Sequence, residues 1–154
     1  MEQAYLFNQG NDYMAYNFLG SRPFTDETGE NGYLFRVWAP KAISISVIGD
    51  FNEWVADADS MYKLGDTGIW ECKVKGAKQW DRYKYRVIGA DSRVYDKIDP
   101  FGRHFETRPN NASILYDPDD YTWEDEEFCK GRKDALAPAP KNIYEMHLGS
   151  WRRH

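Results

Sequence analysis

The sequence predicts an all-β fold, an immunoglobulin-like β-sandwich with a short N-terminal helix. Three observations carry that expectation. Segments that alternate apolar and polar residues far outnumber segments with helical spacing. They recur at roughly the 8–12-residue interval of sandwiches and barrels. Turn signals such as Gly65-Asp66-Thr67-Gly68 and the Gly89–Arg93 stretch separate them.

Taken in order, DYMAYNFL (12–19) reads as the short helix, with Asp12 as N-cap and Gly20 as its C′ stop. SRPFTDETGENG is polar and turn-rich, hence a loop. YLFRVWA (33–39) places Tyr33, Phe35 and Val37 on one face. ISISVIG (43–49) places Ile43, Ile45 and Val47 on one face and Ser44 and Ser46 on the other. MYKL (61–64) reads as a short edge strand. Beyond the Gly65–Gly68 turn, Trp70, Cys72 and Val74 alternate with Glu71 and Lys73. DRYKYRVIG (81–89) sets Tyr83, Tyr85 and Val87 against Lys84 and Arg86, and a tight hairpin leads to VYD (94–96). SILY (113–116) supplies one more strand. DPDDYTWEDEEF (117–128) reads as a solvated acidic segment, and ALAPAPK (135–141) as an extended linker.

Composition excludes several classes. The net charge is −5, and the basic residues are scattered, so no stripe exists to neutralise nucleic-acid phosphates. No apolar run approaches the roughly 20 residues of a membrane-spanning helix. The start, MEQAYLFNQG, lacks the basic and apolar regions of a signal peptide. Two cysteines, Cys72 and Cys129, make neither a disulfide framework nor a zinc site, and predict reduced thiols in a cytoplasmic protein. Aromatic residues make up 16% of the chain, more than a small core readily absorbs. Surplus amphipathic rings suit sugars, while a thin sandwich filled with large residues explains them equally well.

No catalytic motif is present: no GxSxG, HExxH, GxxxxGK[ST] or CxxC. His104, His147 and His154 are too scattered to form a metal cluster, and the Asp117–Glu127 run lacks EF-hand spacing. No carboxylate sits in an apolar stretch that marks an acid of raised pKa. No catalytic residue, metal or cofactor is therefore expected. Binding is easier to argue. Trp54 follows a strand exit among polar residues, where its ring either meets solvent or folds back over the sandwich end. Lys84 lies on the polar face of its strand, and Tyr95 follows the next hairpin. If the three converge, two rings pack against pyranose C–H faces while Lys84 bonds hydroxyls.

Four stretches then match a known group in one order. RVWAPKAISISVIGDFNEW (36–54) resembles carbohydrate-binding module family 48, the amino-terminal module of α-amylase-superfamily enzymes acting on branched glucans. LFNQGNDYMAYNFLGSRP, DPFGRHFETRPNNAS (99–113) and IYEMHLGSWRR (143–153) resemble stretches of bacterial-type α-1,4-glucan branching enzymes. The resemblance implies a transferase that moves α-1,4-glucan chains to 6-hydroxyls, with its carboxylates on barrel strands that this sequence does not contain. It implies glucan-binding residues Trp54, Lys84, Tyr95 and Asn111, with Asn110 the less favoured asparagine. Residues 143–154 match the first strand of a (β/α)8 barrel.

The expected organisation is a helical extension (1–31), the sandwich (32–117), an acidic segment and linker (118–142), and the start of the barrel (143–154). The expected partners are α-1,4-glucan and the chain's own catalytic barrel, with self-association through residues 143–154. Rival readings are a free-standing glycogen-targeting domain, a small hydrolase, or a module that chiefly packs on the barrel. The barrel-like tail argues against the first rival, and the lack of a paired-carboxylate pocket against the second.

Overall fold

A computed structural model describes residues 2–135, 140 and 142–151. Its elements are α1 (Glu2–Asn8), β1 (Gly20–Thr25), β2 (Asn31–Trp38), β3 (Ser44–Gly49), β4 (Asp59–Ser60), β5 (Tyr62–Lys63), β6 (Ile69–Lys75), β7 (Arg82–Ile88), β8 (Val94–Lys97), β9 (His104–Phe105), β10 (Ser113–Ile114), α2 (Glu126–Ala135) and α3 (Leu148–Trp151). The chain divides into two compact units, Met1–Asp120 and Tyr121–His154.

The first unit is the β-sandwich that the alternation predicts. One sheet has the order β1-β2-β6-β5 and the other β4-β3-β7-β10-β9, with β8 beside β10 on the same edge of β7. Period-2 patterning explains the core. The register of β2 on β6 sets Tyr33 opposite Val74, Phe35 opposite Cys72 and Val37 opposite Trp70, all six buried. Ile45, Val47, Tyr83 and Tyr85 meet them from the second sheet. Each such side chain contributes roughly 1.5–3 kcal/mol on burial. The Cys72 thiol lies in this core, where burial pushes its pKa up to about 12, and it is unpaired, as is the exposed Cys129.

A smaller core of Ala4, Phe18, Leu19 and Ile69, with Phe7, Leu64 and Phe101 against it, forms outside the first sheet. It accounts for two corrections. The helix expected over residues 12–19 is absent; only Ala15–Asn17 make a single 3-10 turn, and the real helix is α1. The Asp12 carboxylate accepts from the Met14 amide at 3.0 Å, closing a local turn instead of capping a helix. Phe18 and Leu19 are both buried while Tyr13, Met14 and Tyr16 are exposed, so no helical stripe exists. The expected loop SRPFT is strand β1. Pro23 is tolerated there because β1 pairs on one side alone, with β2.

Further differences are local. Ile43, expected beside Ile45, precedes β3 and is 56% exposed, whereas Ser46, expected on the solvated face, is buried. The expected edge strand at 61–64 is a sheet switch. β4 pairs with β3, Met61 is buried at the crossing, and β5 pairs with β6.

The expectation that no carboxylate sits in an apolar setting that raises its pKa fails at Asp99, which is 1% exposed. Tyr83 and Tyr85 hydroxyls donate to its Oδ2 at 2.7 and 3.0 Å, and the Phe101 amide donates to Oδ1 at 2.8 Å. The Ser21 hydroxyl lies 3.1 Å from that of Tyr83, and the Asp99 amide donates to Ser113 at 2.8 Å. Burial raises the Asp99 pKa above the ordinary carboxylate value despite these donors. The surroundings come from residues distant in sequence, which a local apolar-stretch test does not register.

In the second unit the acidic segment leads into α2, whose first turn carries Glu126 and Glu127, favourably placed against the helix dipole. Most of the expected linker (136–139 and 141) and residues 152–154 lie outside the described residues. Residues 142–147 have no regular structure and 148–151 form α3, in place of the expected barrel strand. A parallel strand needs neighbours for its backbone groups, and no other strand occurs among the described residues of this unit. The Ser150 amide instead bonds the His147 carbonyl at 3.1 Å, and the Tyr144 and Trp151 rings meet edge to face.

Candidate functional site

The turn after β3 is built around close backbone approach. A Cβ at Gly49 falls 2.4 Å from the Arg82 carbonyl, so no other residue fits without displacement. Asn52 then pins the turn, accepting from the Gly49 amide at 2.9 Å and donating to the Val47 carbonyl and to Asp59. Glu53 and Trp54 both adopt left-handed backbone, with φ of 53° and 61°. Trp54 emerges half-buried, and its Nε1 donates to Asp50 Oδ1 at 3.0 Å. The ring is thus neither fully presented nor folded into the core.

Asp50 is held from the other side by Arg82, whose Nε and Nη2 donate to it at 2.9 and 3.0 Å and whose amide adds a third bond. Partial burial alone pushes the Asp50 carboxyl up, but these bonds and that from Trp54 outweigh it and hold the pKa below the usual value. Arg82 also lies 3.6 Å from Glu106, which accepts from the Ala112 amide at 2.9 Å and so closes the loop that carries Asn110 and Asn111.

The β-pleat places Arg82, Lys84 and Arg86 on the face of β7 away from the core. The Lys84 ammonium donates to Asn111 Oδ1 at 2.6 Å. Lys84 and Asn111 are therefore together, and Trp54 joins the same face through Asp50 and Arg82. Tyr95 does not. It pairs with Val87, so its side chain leaves β8 on the pleat opposite to Lys84. Its hydroxyl donates to Asp91 at 2.7 Å, and Lys97 lies 5.1 Å above its ring. On the Lys84 side β8 presents Val94 and Asp96, the latter bound bidentately by Arg86.

This arrangement offers one apolar ring, two cations and an amide to a neutral polar ligand, without a paired-carboxylate pocket. Depressions of about 400, 450 and 480 Å³ lie elsewhere on the first unit. Asp50 and Arg82 escaped the sequence reading, although a Gly-Asp pair at a strand exit is a detectable signal of side-chain anchoring.

Known proteins share this chain's pattern. The sequence profile described as carbohydrate-binding module 48 (isoamylase N-terminal domain) matches residues 19–102. The 1,4-alpha-glucan branching enzyme GlgB of Bacillus subtilis (strain 168) is 39% identical over 98% of this chain and 24% of its own length. That of Synechococcus sp. (strain JA-3-3Ab) is 44% identical over 96% of this chain and 19% of its own length. The chain thus spans about a quarter or less of the curated relatives it matches. Among solved structures, pullulanase type I from Bacillus subtilis str. 168, complexed with maltose, superposes with a TM-score of 0.54. It does so at 21% identity, over 68% of this chain and 14% of its own, and it shows the same fold. The resemblance to branching enzymes drawn from the four motifs is borne out by these relatives. The chain belongs to the carbohydrate-binding module 48 family.

Proposed function

We propose that this chain is the non-catalytic, α-glucan-binding amino-terminal part of a 1,4-α-glucan branching enzyme. In the whole enzyme, α-1,4-glucan chains are transferred to 6-hydroxyls by carboxylates that lie outside this chain. The module holds linear α-1,4-glucan on the outer face of β7 through Trp54, Lys84 and Asn111, with Tyr95 contributing little. The observation that carries the reading is the Lys84–Asn111 hydrogen bond on the face that Asp50 and Arg82 join to Trp54. One ring and a shallow face yield roughly −4 to −6 kcal/mol, a Kd between about 1 mM and tens of micromolar.

Titrating the 154-residue chain with maltoheptaose while following amide and indole resonances tests this. Saturable shifts at Trp54 and Lys84, lost in Trp54→Ala, support it; a silent Trp54 at several millimolar ligand sinks the site. The chain should neither branch nor hydrolyse amylose, and iodine staining that falls with the purified chain overturns the non-catalytic reading.

A second reading is that the module chiefly packs on a catalytic barrel. It draws on the apolar depression lined by Trp38, Pro40 and Val87. Full-length enzyme in which Trp38→Ser changes stability but not glucan affinity favours that reading.

A further inference from the structure

A cluster of rings outside both cores sits farther across the outer sheet face that holds Lys84, where the register runs Arg82–Ile114–His104 over β7, β10 and β9. Lys78–Asp81 form a tight turn, closed by the Asp81 amide on the Lys78 carbonyl at 3.1 Å and by the Asp81 carboxylate on the Lys78 amide at 3.0 Å. The third position of the turn is Trp80, with φ of 77°. That conformation normally selects glycine or asparagine, because a Cβ crowds the backbone there. It is held by the bond from the Trp80 amide to the Leu115 carbonyl at 2.8 Å. Among the described residues, the other tryptophan in this rare backbone is Trp54.

The turn delivers the Trp80 ring against His104 of β9, at 5.5 Å between centroids and 86°, and against Tyr116 just beyond β10, at 5.4 Å. His104 and Tyr116 also meet, at 5.9 Å. Three segments far apart in sequence thus lock an indole that stays 56% exposed. Core rings of this protein are buried, as Phe35, Tyr83 and Tyr85 are, so the cluster does not serve as core. Among the described residues, the Trp80 Nε1, the His104 ring nitrogens and the Tyr116 hydroxyl have no protein hydrogen-bond partner. The indole nitrogens of Trp54 and Trp70, by contrast, are bonded to Asp50 and to the Ala39 carbonyl. Asp81, Asp117 and Asp120 lie in the flanking segments, with Gln79 donating to Asp120 and accepting from the Asp117 amide.

A rigid, exposed indole with free polar tips around it suits a ligand with flat C–H faces and hydroxyl edges. The flanking carboxylates disfavour phosphate-bearing ligands. We infer that Trp80, His104 and Tyr116 form a second α-glucan platform on the same outer sheet face as Lys84, centred on β9 and β10 instead of on Trp54, Lys84 and Asn111. This rests on the reading that the chain binds α-glucan, and it adds a position that supplies the second aromatic surface which Tyr95, on the opposite pleat, does not bring to Lys84.

The test is a maltoheptaose titration, to about 10 mM, of the isotope-labelled 154-residue chain and of Trp54→Ala, Trp80→Gly and His104→Ala variants. Glycine suits the φ at position 80, so Trp80→Gly removes the ring without disturbing the turn. The expected result is a saturable shift of the Trp80 indole and the Tyr116 ring that persists in Trp54→Ala. Trp80→Gly and His104→Ala should weaken it at Tyr116 by about tenfold, leaving Trp54 shifts intact. If the Trp80 indole stays still while Trp54 responds, the platform is wrong and the α-glucan reading stands. If the Trp80 shift vanishes in Trp54→Ala, the two are not separate sites and the inference falls. If neither indole moves, both readings fail together.

Discussion

The Lys84 ammonium and the Asn111 amide oxygen are 2.6 Å apart, although 27 residues separate them in sequence. The bond fixes the loop before β10 against the outer face of β7, and it points a lysine with further free N–H donors toward solvent.

Replacing Lys84 by methionine keeps the aliphatic stem and removes the charge-assisted donors. Maltoheptaose affinity should fall about five- to tenfold, equivalent to roughly 1–1.4 kcal/mol. Tyr95→Ala should change it less than about twofold, because the ring leaves the other pleat. Calorimetry on both variants separates the two positions. A Tyr95 effect equal to that of Lys84 means the ligand wraps the sheet edge and the face is drawn too narrowly.

Asp50→Asn weakens the clamp on Arg82 and Trp54 and should destabilise the sandwich by about 1 kcal/mol near neutral pH. The folded pKa of Asp50 lies below its unfolded value, so its contribution is present above the unfolded pKa and is lost as pH falls through the folded one. Urea midpoints of the native protein should therefore approach those of Asp50→Asn on acidification below about pH 4. Parallel curves down to the lowest pH rule the clamp out.

Asp99 has the opposite sign. Its folded pKa is raised, so its contribution is fully present below the unfolded value of about 3.9 and declines as pH rises through the folded one. An Asp99→Asn variant, lacking this titration, should show a flatter stability profile from pH 4 upward. Asp99→Ala leaves two buried tyrosine hydroxyls and an amide short of an acceptor, and should cost about 3 kcal/mol. Thermal and urea unfolding across pH check both, and an alanine variant as stable as the native protein removes Asp99 from the account.

Ile143, Tyr144, Leu148 and Trp151 are between 61% and 91% exposed. Burying each stabilises an assembly by roughly 1.5–3 kcal/mol, so the chain should associate as concentration rises. Sedimentation analysis should show a monomer once residues 141–154 are deleted, with the sandwich still folded. Unfolding on deletion contradicts the independence of the first unit.

Legibility differed from element to element. β2, β6 and β7 were readable because alternation is a local signal that burial on one face imposes residue by residue. β1 was not, since Pro23 argues for a loop unless the strand is known to lie at an edge, and edge position is a property of the assembled sheet. The helix placed at 12–19 failed for a related reason. Phe18 and Leu19 answer to a small core completed by Ile69 and Phe101, which local spacing does not contain. The aromatic surplus was visible in composition, but whether a ring fills a core or meets solvent was not. Tyr83 is buried and Trp80 is 56% exposed, three residues apart.

The sequence alone determined the sandwich, most of its inward residues and its kinship, because these depend on residue type, order and period. Tertiary structure alone decided which side chains share a face. Tyr95 stands on the pleat opposite to Lys84 because the hairpin closes with the Gly89 amide on the Arg93 carbonyl, which sets Tyr95 against Val87. Side chains alternate with period 2, so a shift of one residue in that register turns Tyr95 to the other face of the sheet. Register belongs to the pairing of two strands and the turn between them, and neither strand carries it by itself.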